Sequence, residues 1–311
     1  MNIIPSKNQD FQQEKYFVAI FAMGNYPEIA IDREKFDELK KAKENLSELF
    51  AFEEKYELLL SNYLELEKEN LIVTAETMIE RNQAYEKFFS IRLLFNQRIV
   101  NLLSTARLYL DQIHQHIHPF MLISVDVKAL LSTEYDNNFE YRFMEALRNY
   151  VQHRGLAVHS TNLESRWTSL DTNGEMQFKT QIFTNKNEVE KDNAFKKSVS
   201  NEMPDKVDLM FASRSYIESI SKVHCAIRDH LKEIAIKERN IISDLIDEYK
   251  IINSENITGL SIIHSQNNGH SNQILEQLYL TLEWDDIRLA LINKNASLVN
   301  LKKRYVSGST K

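Results

Sequence analysis

Glycine and proline are scarce in this sequence. Its 311 residues include six glycines and four prolines, about a quarter of the roughly 12% that these residues make up in an average chain. This scarcity excludes a turn-rich β-sandwich, a collagen-like chain and a glycine-rich linker protein, and it disfavours a parallel α/β fold. Apolar residues make up 43% of the chain, enough to bury a substantial core. We predict a mostly α-helical fold with long helices.

Disulfides, a basic surface and long apolar runs are also missing. One cysteine, Cys225, cannot form an internal disulfide, which excludes a disulfide-stapled secreted domain. The net charge of −7 means that any nucleic-acid contact requires a local basic patch or a site built by two chains. The longest apolar run, Tyr16–Met23, is far below the roughly 20 residues that span a bilayer, and no signal-peptide pattern precedes it. We expect a cytoplasmic protein without membrane contact.

The first predicted segment, residues 1–73, combines a short strand with a long helix. The run Tyr16–Met23 has the aromatic and β-branched composition of a buried strand. Asp32 stands at an N-cap position, and the helix after it carries a heptad pattern that only Glu53 interrupts, which predicts packing along another helix. The heptad positions are Leu39, Ala42, Leu46, Leu49, Tyr56, Leu60 and Tyr63.

The second predicted segment, residues 74–160, forms the core of the expected bundle. We predict a helix from about Thr74 to Ile117, a connector around Ser132–Asn138 and a further helix over Phe139–His153. The apolar face of the longer helix is formed by Ile99, Leu102, Leu103, Ala106, Leu110, Ile113 and Ile117. Its opposite stripe carries Arg107, Asp111, His114 and His118.

The third predicted segment, residues 161–205, is a β-hairpin followed by a polar linker. Two strand-like runs flank the sequence Asp171-Thr172-Asn173-Gly174, and Asn-Gly favours a primed hairpin turn. The charged stretch Asn185–Asp205 is predicted to be the linker.

The fourth predicted segment, residues 206–311, supplies C-terminal helices that complete the bundle. One helix is expected from about Lys206 to Lys250 and a last one over roughly Asn272–Tyr305. Between them, Gly259–Ser265 has a strand-like composition, and we expect it to pair with Tyr16–Met23.

The stretch Tyr141–Ser160 (YRFMEALRNYVQHRGLAVHS) carries the most informative chemistry. On a helix, Phe143, Leu147, Tyr150 and Val151 share an apolar face, whereas Glu145, Asn149 and His153 follow one another on a polar stripe beside Arg148. This strip offers a fixed cation, an amide, a carboxylate and an imidazole. The same pattern also fits a solvated face with an Arg148–Glu145 ion pair and a His153 near a C-cap at Gly155.

The hexapeptide from Arg148 to His153 (RNYVQH) resembles the R-x(4–6)-H motif of the HEPN superfamily, including the polar residue after the arginine. The resemblance covers the helices from about Thr74 to Gly155 and extends to the Lys206–Lys250 helix. It implies a HEPN-like helical bundle, with the hairpin as an insertion. Many HEPN proteins are metal-independent endoribonucleases of toxin–antitoxin, phage-defence and CRISPR-associated systems, in which two chains pair so that both motifs face one cleft.

Carried onto this chain, the resemblance implies an RNA substrate, a homodimer with a composite site, no cofactor and no metal, with an antitoxin or defence-system partner. His153 would act as general base or acid, Arg148 would stabilise charge on the phosphate, and Asn149 would hold His153 or the phosphate. These roles suit the residues, because imidazole titrates near neutral pH and a guanidinium grips phosphate oxygens in a fork.

Other polar residues are candidates for support or RNA binding. Glu145 would orient Arg148 or only stabilise the helix. Each of the remaining candidates could equally be a solvent-exposed surface residue without a functional role. His114 and His118 also have the spacing of a zinc-binding pair, although the sequence shows no pattern of further zinc ligands. These candidates are Arg107, Asp111, His114, Arg142, Arg154 and His159.

Two other functions remain open at this point. In the first, the chain is a non-catalytic helical module. It would bind RNA, or it would bind a protein partner through the heptad positions from Leu39 to Tyr63, here called the heptad seam. Alternatively, it would be the HEPN partner of a nucleotidyltransferase, silenced by modification of a tyrosine near the motif. Tyr150 is a poor candidate for that modification, because it falls on the apolar face.

Overall fold

The computed structural model describes residues 13–80, 84–120, 126–170, 174–253, 255–267 and 272–306. The fold is mostly helical, with 64% helix and two small antiparallel sheets. The helices are α1 (Arg33–Ile79), α2 (Tyr85–Ile117), α3 (Val127–Asn137), α4 (Phe139–His153), α5 (Lys186–Val189), α6 (Lys197–Glu202), α7 (Leu209–Ile252) and α8 (Glu283–Lys294). The strands are β1 (Gln13–Ile20), β2 (Ile29–Ile31), β3 (Ser160–Trp167), β4 (Met176–Asn185), β5 (Lys206–Asp208), β6 (Leu260–Asn267) and β7 (Asn272–Tyr279). Within these ranges, no helix is long and apolar enough to cross a membrane.

The chain divides into two compact units, and the first comprises Met1–Ala51 and Leu231–Ile292. Its sheet has the strand order β2-β1-β6-β7. The predicted pairing of the two short strands is confirmed, because β1 and β6 run antiparallel with Phe17 opposite Ile263. The buried phenol of Tyr249 fixes one end of β1, since it accepts the Ile20 N–H at 3.2 Å.

The prediction of one last helix over Asn272–Tyr305 is wrong. β7 occupies the first part of this range, α8 follows, and a short 3₁₀ turn lies at Leu301–Lys303. The sequence of β7 has no helix-breaking residue, but its pairing with β6, where Leu278 lies opposite Ile262, overrides local propensity.

The N-cap and the buried face of α1 are confirmed, with one change. The Lys35 N–H donates to Asp32 Oδ1 at 2.7 Å, as an N-cap requires. Leu60 is only half-buried, because a helix of 3.6 residues per turn drifts away from a strict heptad repeat. The polar interruption Glu53 is itself buried. The fully or nearly buried apolar residues of α1 are Phe36, Leu39, Ala42, Leu46, Leu49, Phe52, Tyr56, Leu59, Tyr63, Leu66 and Val73.

The second unit comprises Phe52–His230 and Asn293–Lys311. Its sheet has the order β3-β4-β5. The predicted hairpin is confirmed by the antiparallel pairing of β3 and β4, whereas the predicted turn residues Asp171, Thr172 and Asn173 lie outside the described residues. β5 pairs with β4, so the helix that we predicted from Lys206 begins three residues later, in α7.

Three further predicted boundaries in this unit are wrong. α1 continues through Thr74, and the next helix begins at Tyr85. Most of the predicted connector Ser132–Asn138 belongs to α3, whose N-cap Asp126 accepts the Ala129 N–H at 3.0 Å. The predicted linker Asn185–Asp205 contains α5 and α6. Neither α5 nor α6 has a side-chain hydrogen bond at its N-cap, so helices this short depend on tertiary packing rather than on a long periodic pattern.

A buried polar network lies in the second unit around His224. Its imidazole stacks on the Tyr56 ring at a centroid distance of 3.8 Å and lies 2.7 Å from the Tyr109 hydroxyl and 3.1 Å from Glu53 Oε2. Arg228 donates two bonds to the Glu53 carboxylate, at 2.8 and 2.7 Å. Burial lowers the pKa of His224 to about 4, so the imidazole is neutral near pH 7 and Arg228 is the cation that balances Glu53.

Candidate functional site

The helix that carries the RNYVQH motif is amphipathic, and its two ends match the prediction. The Asn138 side chain caps its start by accepting the Tyr141 N–H at 3.3 Å, and its last residue is His153. Phe143, Met144 and Leu147 are buried. Because this face is anchored in the core, the stripe on the other side of α4 points away from it.

An open cleft, here called the His153 cleft, runs along that stripe. Its volume is about 370 Å³. The predicted stripe of Glu145, Asn149 and His153 lines a single cavity, so these three side chains are brought together. The full lining comprises Arg142, Glu145, Ala146, Asn149, Tyr150, His153 and Arg154 on one side and Tyr135, Asp192, Ala194, Phe195 and Lys196 on the other.

Arg148 is not among the lining residues of the His153 cleft, but it is tied to one of them. Its guanidinium donates to Asn149 Oδ1 at 2.6 Å, and its buried Nε has no hydrogen-bond partner within the described ranges of the chain. Asn149 is exposed and lines the cleft. The amide therefore links the arginine of the motif to the cavity that holds its histidine.

Glu145 contacts a tyrosine rather than Arg148, the ion-pair partner that its helical spacing allowed. Among the described residues its carboxylate has no ion pair with Arg148 and instead accepts the Tyr216 O–H at 2.5 Å. Burial, together with the nearby Glu145 charge, raises the pKa of Tyr216 well above its usual value. Tyr216 therefore remains a protonated donor that fixes Glu145 from α7.

Arg142 reaches the His153 cleft in a fixed position. Its guanidinium donates to the carbonyls of Tyr135 and Asp136 at 2.7 and 2.8 Å. It also donates to the Glu202 carboxylate at 2.6 Å. With its donors engaged in this way, Arg142 supplies positive potential to the cleft rather than a free hydrogen-bonding fork.

Two more cations lie on the rim of the His153 cleft. Arg154 is 59% exposed and lies 3.5 Å from an Asp192 carboxylate oxygen. Lys196 donates to the Tyr135 hydroxyl, and its ammonium lies 4.7 Å from the centroid of that ring. Sequence reasoning missed Asp192 and Lys196 because both belong to the segment predicted as a linker, and it missed Tyr135 because that residue was placed in a connector.

His159 does not line the His153 cleft. It lies at the start of the hairpin, where its Nδ1 accepts the Asn185 N–H at 3.1 Å. Burial lowers its pKa, so a neutral imidazole is favoured. Its ring meets the edge of Tyr150 at a centroid distance of 6.1 Å. The structure therefore gives this histidine a supporting position next to a cleft residue.

A second cavity, here called the Arg107 cleft, collects the predicted stripe of α2. Its volume is about 410 Å³. Arg107 pairs with Asp111 at 2.6 Å, and His114 lies on the same wall, whereas His118 does not. Tyr135 and Glu145 line this cleft as well as the His153 cleft. Its other lining residues are Leu110, Leu131, Ser132, Asp136 and Tyr141.

Gly155 is required by a close approach rather than by a left-handed backbone. The chain turns back under the Tyr150 side chain, and a Cβ at position 155 would lie 2.4 Å from the Tyr150 hydroxyl and 2.7 Å from its Cζ. Gly155 and Arg154 both donate their N–H to the Tyr150 carbonyl. Tyr150 is thus packed over the end of the motif helix.

Substituting Gly155→Ala should therefore displace the half-buried Tyr150 ring and lower the free energy of unfolding by about 1 kcal/mol, the low end of the cost of overpacking. Urea denaturation measures the loss. In the double variant Gly155→Ala/Tyr150→Ala, the Tyr150 ring no longer obstructs the added methyl group. The stability loss of the double variant should therefore be smaller than the sum of the losses of the two single variants. A Gly155→Ala variant as stable as the parent chain would contradict the close approach.

The described residues contain no group of three or more His, Cys, Asp or Glu side chains arranged to hold a metal ion. Comparisons with models of protein families, with curated proteins and with solved structures find no match to this chain.

Proposed function

We propose that this protein is a HEPN-like, metal-independent endoribonuclease. The observation that carries the proposal is the arrangement at the end of α4. Arg148 is hydrogen-bonded to Asn149 at 2.6 Å, and Asn149 shares an open cleft with His153, three cations and two carboxylates. An imidazole and a fixed guanidinium are the two groups that phosphodiester cleavage by an internal nucleophile needs.

The proposed reaction uses the RNA's own 2′-hydroxyl. His153 removes the 2′ proton, the 2′-oxygen forms a bond to phosphorus, and the bond from phosphorus to the 5′-oxygen breaks. A protonated histidine returns a proton to the leaving 5′-oxygen. The products are a 2′,3′-cyclic phosphate and a 5′-hydroxyl, and Arg148 stabilises the extra negative charge on the phosphate.

A second copy of the chain is part of the proposal. Arg148 does not line the His153 cleft of its own chain, so a partner that faces this surface would bring a second pair of motif residues to the substrate. The partner would also double the net positive charge of the cleft lining, where Arg142, Arg154 and Lys196 outnumber Glu145 and Asp192 by one. This addresses the net charge of −7, which otherwise repels RNA.

The setting that we propose is the cytoplasm, in phage defence or as a toxin that limits growth. Because uncontrolled RNA cleavage would harm the cell, an antitoxin or another defence-system protein would restrain the site. The non-catalytic alternative offered either the heptad positions of α1 to a protein partner or another surface to RNA. A protein partner cannot reach the heptad positions, because Leu39, Leu46 and Tyr56 are fully buried. RNA binding without cleavage is what remains of it.

The test is cleavage of single-stranded RNA by the purified protein in excess EDTA, beside DNA of the same sequence. We expect RNA to be cut and DNA to stay intact, because DNA has no 2′-hydroxyl. His153→Ala protein purified in the same way controls for contaminating nuclease. Tight RNA binding without cleavage would support the non-catalytic module, and cleavage of both polymers would contradict the mechanism.

A further inference from the structure

The Arg107 cleft adjoins the His153 cleft and has a different chemistry. Tyr135 and Glu145 line both cavities, so a chain that leaves the His153 cleft past these residues enters the other one. The Arg107 cleft holds one arginine against the carboxylates of Asp111, Asp136 and Glu145. This excess of carboxylates disfavours a phosphate there.

Apolar and aromatic surface accompanies the polar groups in the Arg107 cleft. Leu110, Leu131, Tyr135 and Tyr141 line the cavity, and its volume of about 410 Å³ lies in the range of small-molecule pockets. Flat ligands with polar edges fit such a lining. Single-stranded RNA presents ligands of this kind, because its unstacked bases pack on aromatic side chains and are read along their edges.

The polar groups define which edge the cleft can read. Arg107 Nη2 lies 2.6 Å from Asp111 Oδ1, while the Arg107 side chain stays 40% exposed, so part of the guanidinium remains accessible to a ligand. Arginine donates to the O6 and N7 acceptors of guanine, the commonest specific contact to a base. A carboxylate accepts from amino and imino N–H groups, which guanine carries at N1 and N2.

We infer that the Arg107 cleft is a nucleobase subsite that prefers guanine, with Arg107 donating to O6 and N7 and Asp136 accepting from N1–H and N2–H. Among the described contacts the Asp136 side chain has no hydrogen bond or ion pair, whereas Glu145 is engaged by Tyr216 at 2.5 Å. The inference rests on the proposed function, since it places a base of the RNA next to the cleaved nucleotide.

Binding of free nucleosides to the His153→Ala variant tests the subsite without any cleavage. Guanosine, adenosine, cytidine and uridine are titrated separately and followed by NMR chemical shifts. We expect guanosine to bind about 5- to 150-fold more tightly than uridine, which lacks an exocyclic amino group, because one good bidentate pair provides about 1–3 kcal/mol of discrimination. Arg107→Ala and Asp136→Ala should each remove most of that preference.

Arg92→Ala is the matched control, since it removes a cation of α2 that lines neither cleft and should keep the guanosine preference. Equal binding of the four nucleosides, or a preference that survives Arg107→Ala, would overturn the subsite. These outcomes leave the ribonuclease proposal standing. Conversely, a guanosine preference in a protein that does not cut RNA would refute the ribonuclease and keep the subsite.

Discussion

Arg148→Ala and His153→Ala are each expected to lower kcat/KM for RNA cleavage by about 10²- to 10⁴-fold. The first change removes the cation that stabilises phosphate charge, and the second removes the proton-transfer group. Arg148→Lys should recover only part of the loss, because lysine keeps the charge without the fork that donates to Asn149 at 2.6 Å. Initial rates on a labelled RNA oligonucleotide give these values.

Gln152→Ala is the control for this pair. Gln152 is an exposed residue of the same helix turn and does not line the His153 cleft, so its loss should change the rate less than about twofold. Circular dichroism and the melting temperature show whether each variant is folded. If folded Arg148→Ala and His153→Ala proteins keep more than a tenth of the parent activity, the roles assigned to these residues are wrong.

Glu53→Ala is expected to lower the free energy of unfolding by about 3–5 kcal/mol. The substitution leaves the Arg228 guanidinium in the interior without its carboxylate, and breaking a buried ion pair by removing one partner has a penalty of this size. Arg228 would keep its 2.9 Å bond to the Asn295 carbonyl and its 2.9 Å contact with His224 Nε2, neither of which supplies a negative charge. His224 would lose a partner at 3.1 Å.

Urea denaturation compares this variant with Glu54→Ala. Glu54 is the exposed neighbour of the buried Glu53, so its removal should change stability by less than about 0.5 kcal/mol. The contrast separates loss of the network from loss of a negative charge or of helix propensity. Equal stabilities of the two variants would show that the network contributes little to folding.

Most of the buried and exposed faces of the long helices could be predicted from the sequence, because a long periodic pattern of apolar residues indicates which face is buried. α4 begins and ends at the predicted residues, Phe139 and His153, and its polar stripe lines a cleft. The β1–β6 pairing was also predictable, since Tyr16–Met23 and Gly259–Ser265 are short apolar runs that need a partner strand. These predictions depend on local pattern alone.

The errors arise where distant residues decide the structure. Glu53 looked like a break in the heptad seam, because its partners His224 and Arg228 are about 170 positions away in the chain. β7 looked helical because only its pairing with β6 makes it a strand. Glu145 was a candidate partner of Arg148 on helical spacing, but the hydroxyl of Tyr216 engages it.

The second half of the candidate site was hidden for a related reason. Lys196 and Asp192 lie in a polar segment whose short helices give no periodic signal, and only the folded chain places them opposite α4. The α2 stripe with Arg107, Asp111 and His114 was a candidate RNA contact, and these residues do line a cleft together with Tyr135 and Glu145. Helical spacing placed them on one face of α2 but could not indicate that Tyr135 would join them.

Chemical analysis of the RNA ends shows which atom attacked the phosphorus. The oligonucleotide carries one strongly cut position, and the reaction runs in EDTA. We expect the upstream fragment to end in a 2′,3′-cyclic phosphate and the downstream fragment to begin with a 5′-hydroxyl, and we expect one 2′-deoxy sugar at the cut position to block the reaction. A 5′-phosphate on the downstream fragment, or unchanged cleavage of the deoxy substrate, would show that the 2′-hydroxyl is not the nucleophile.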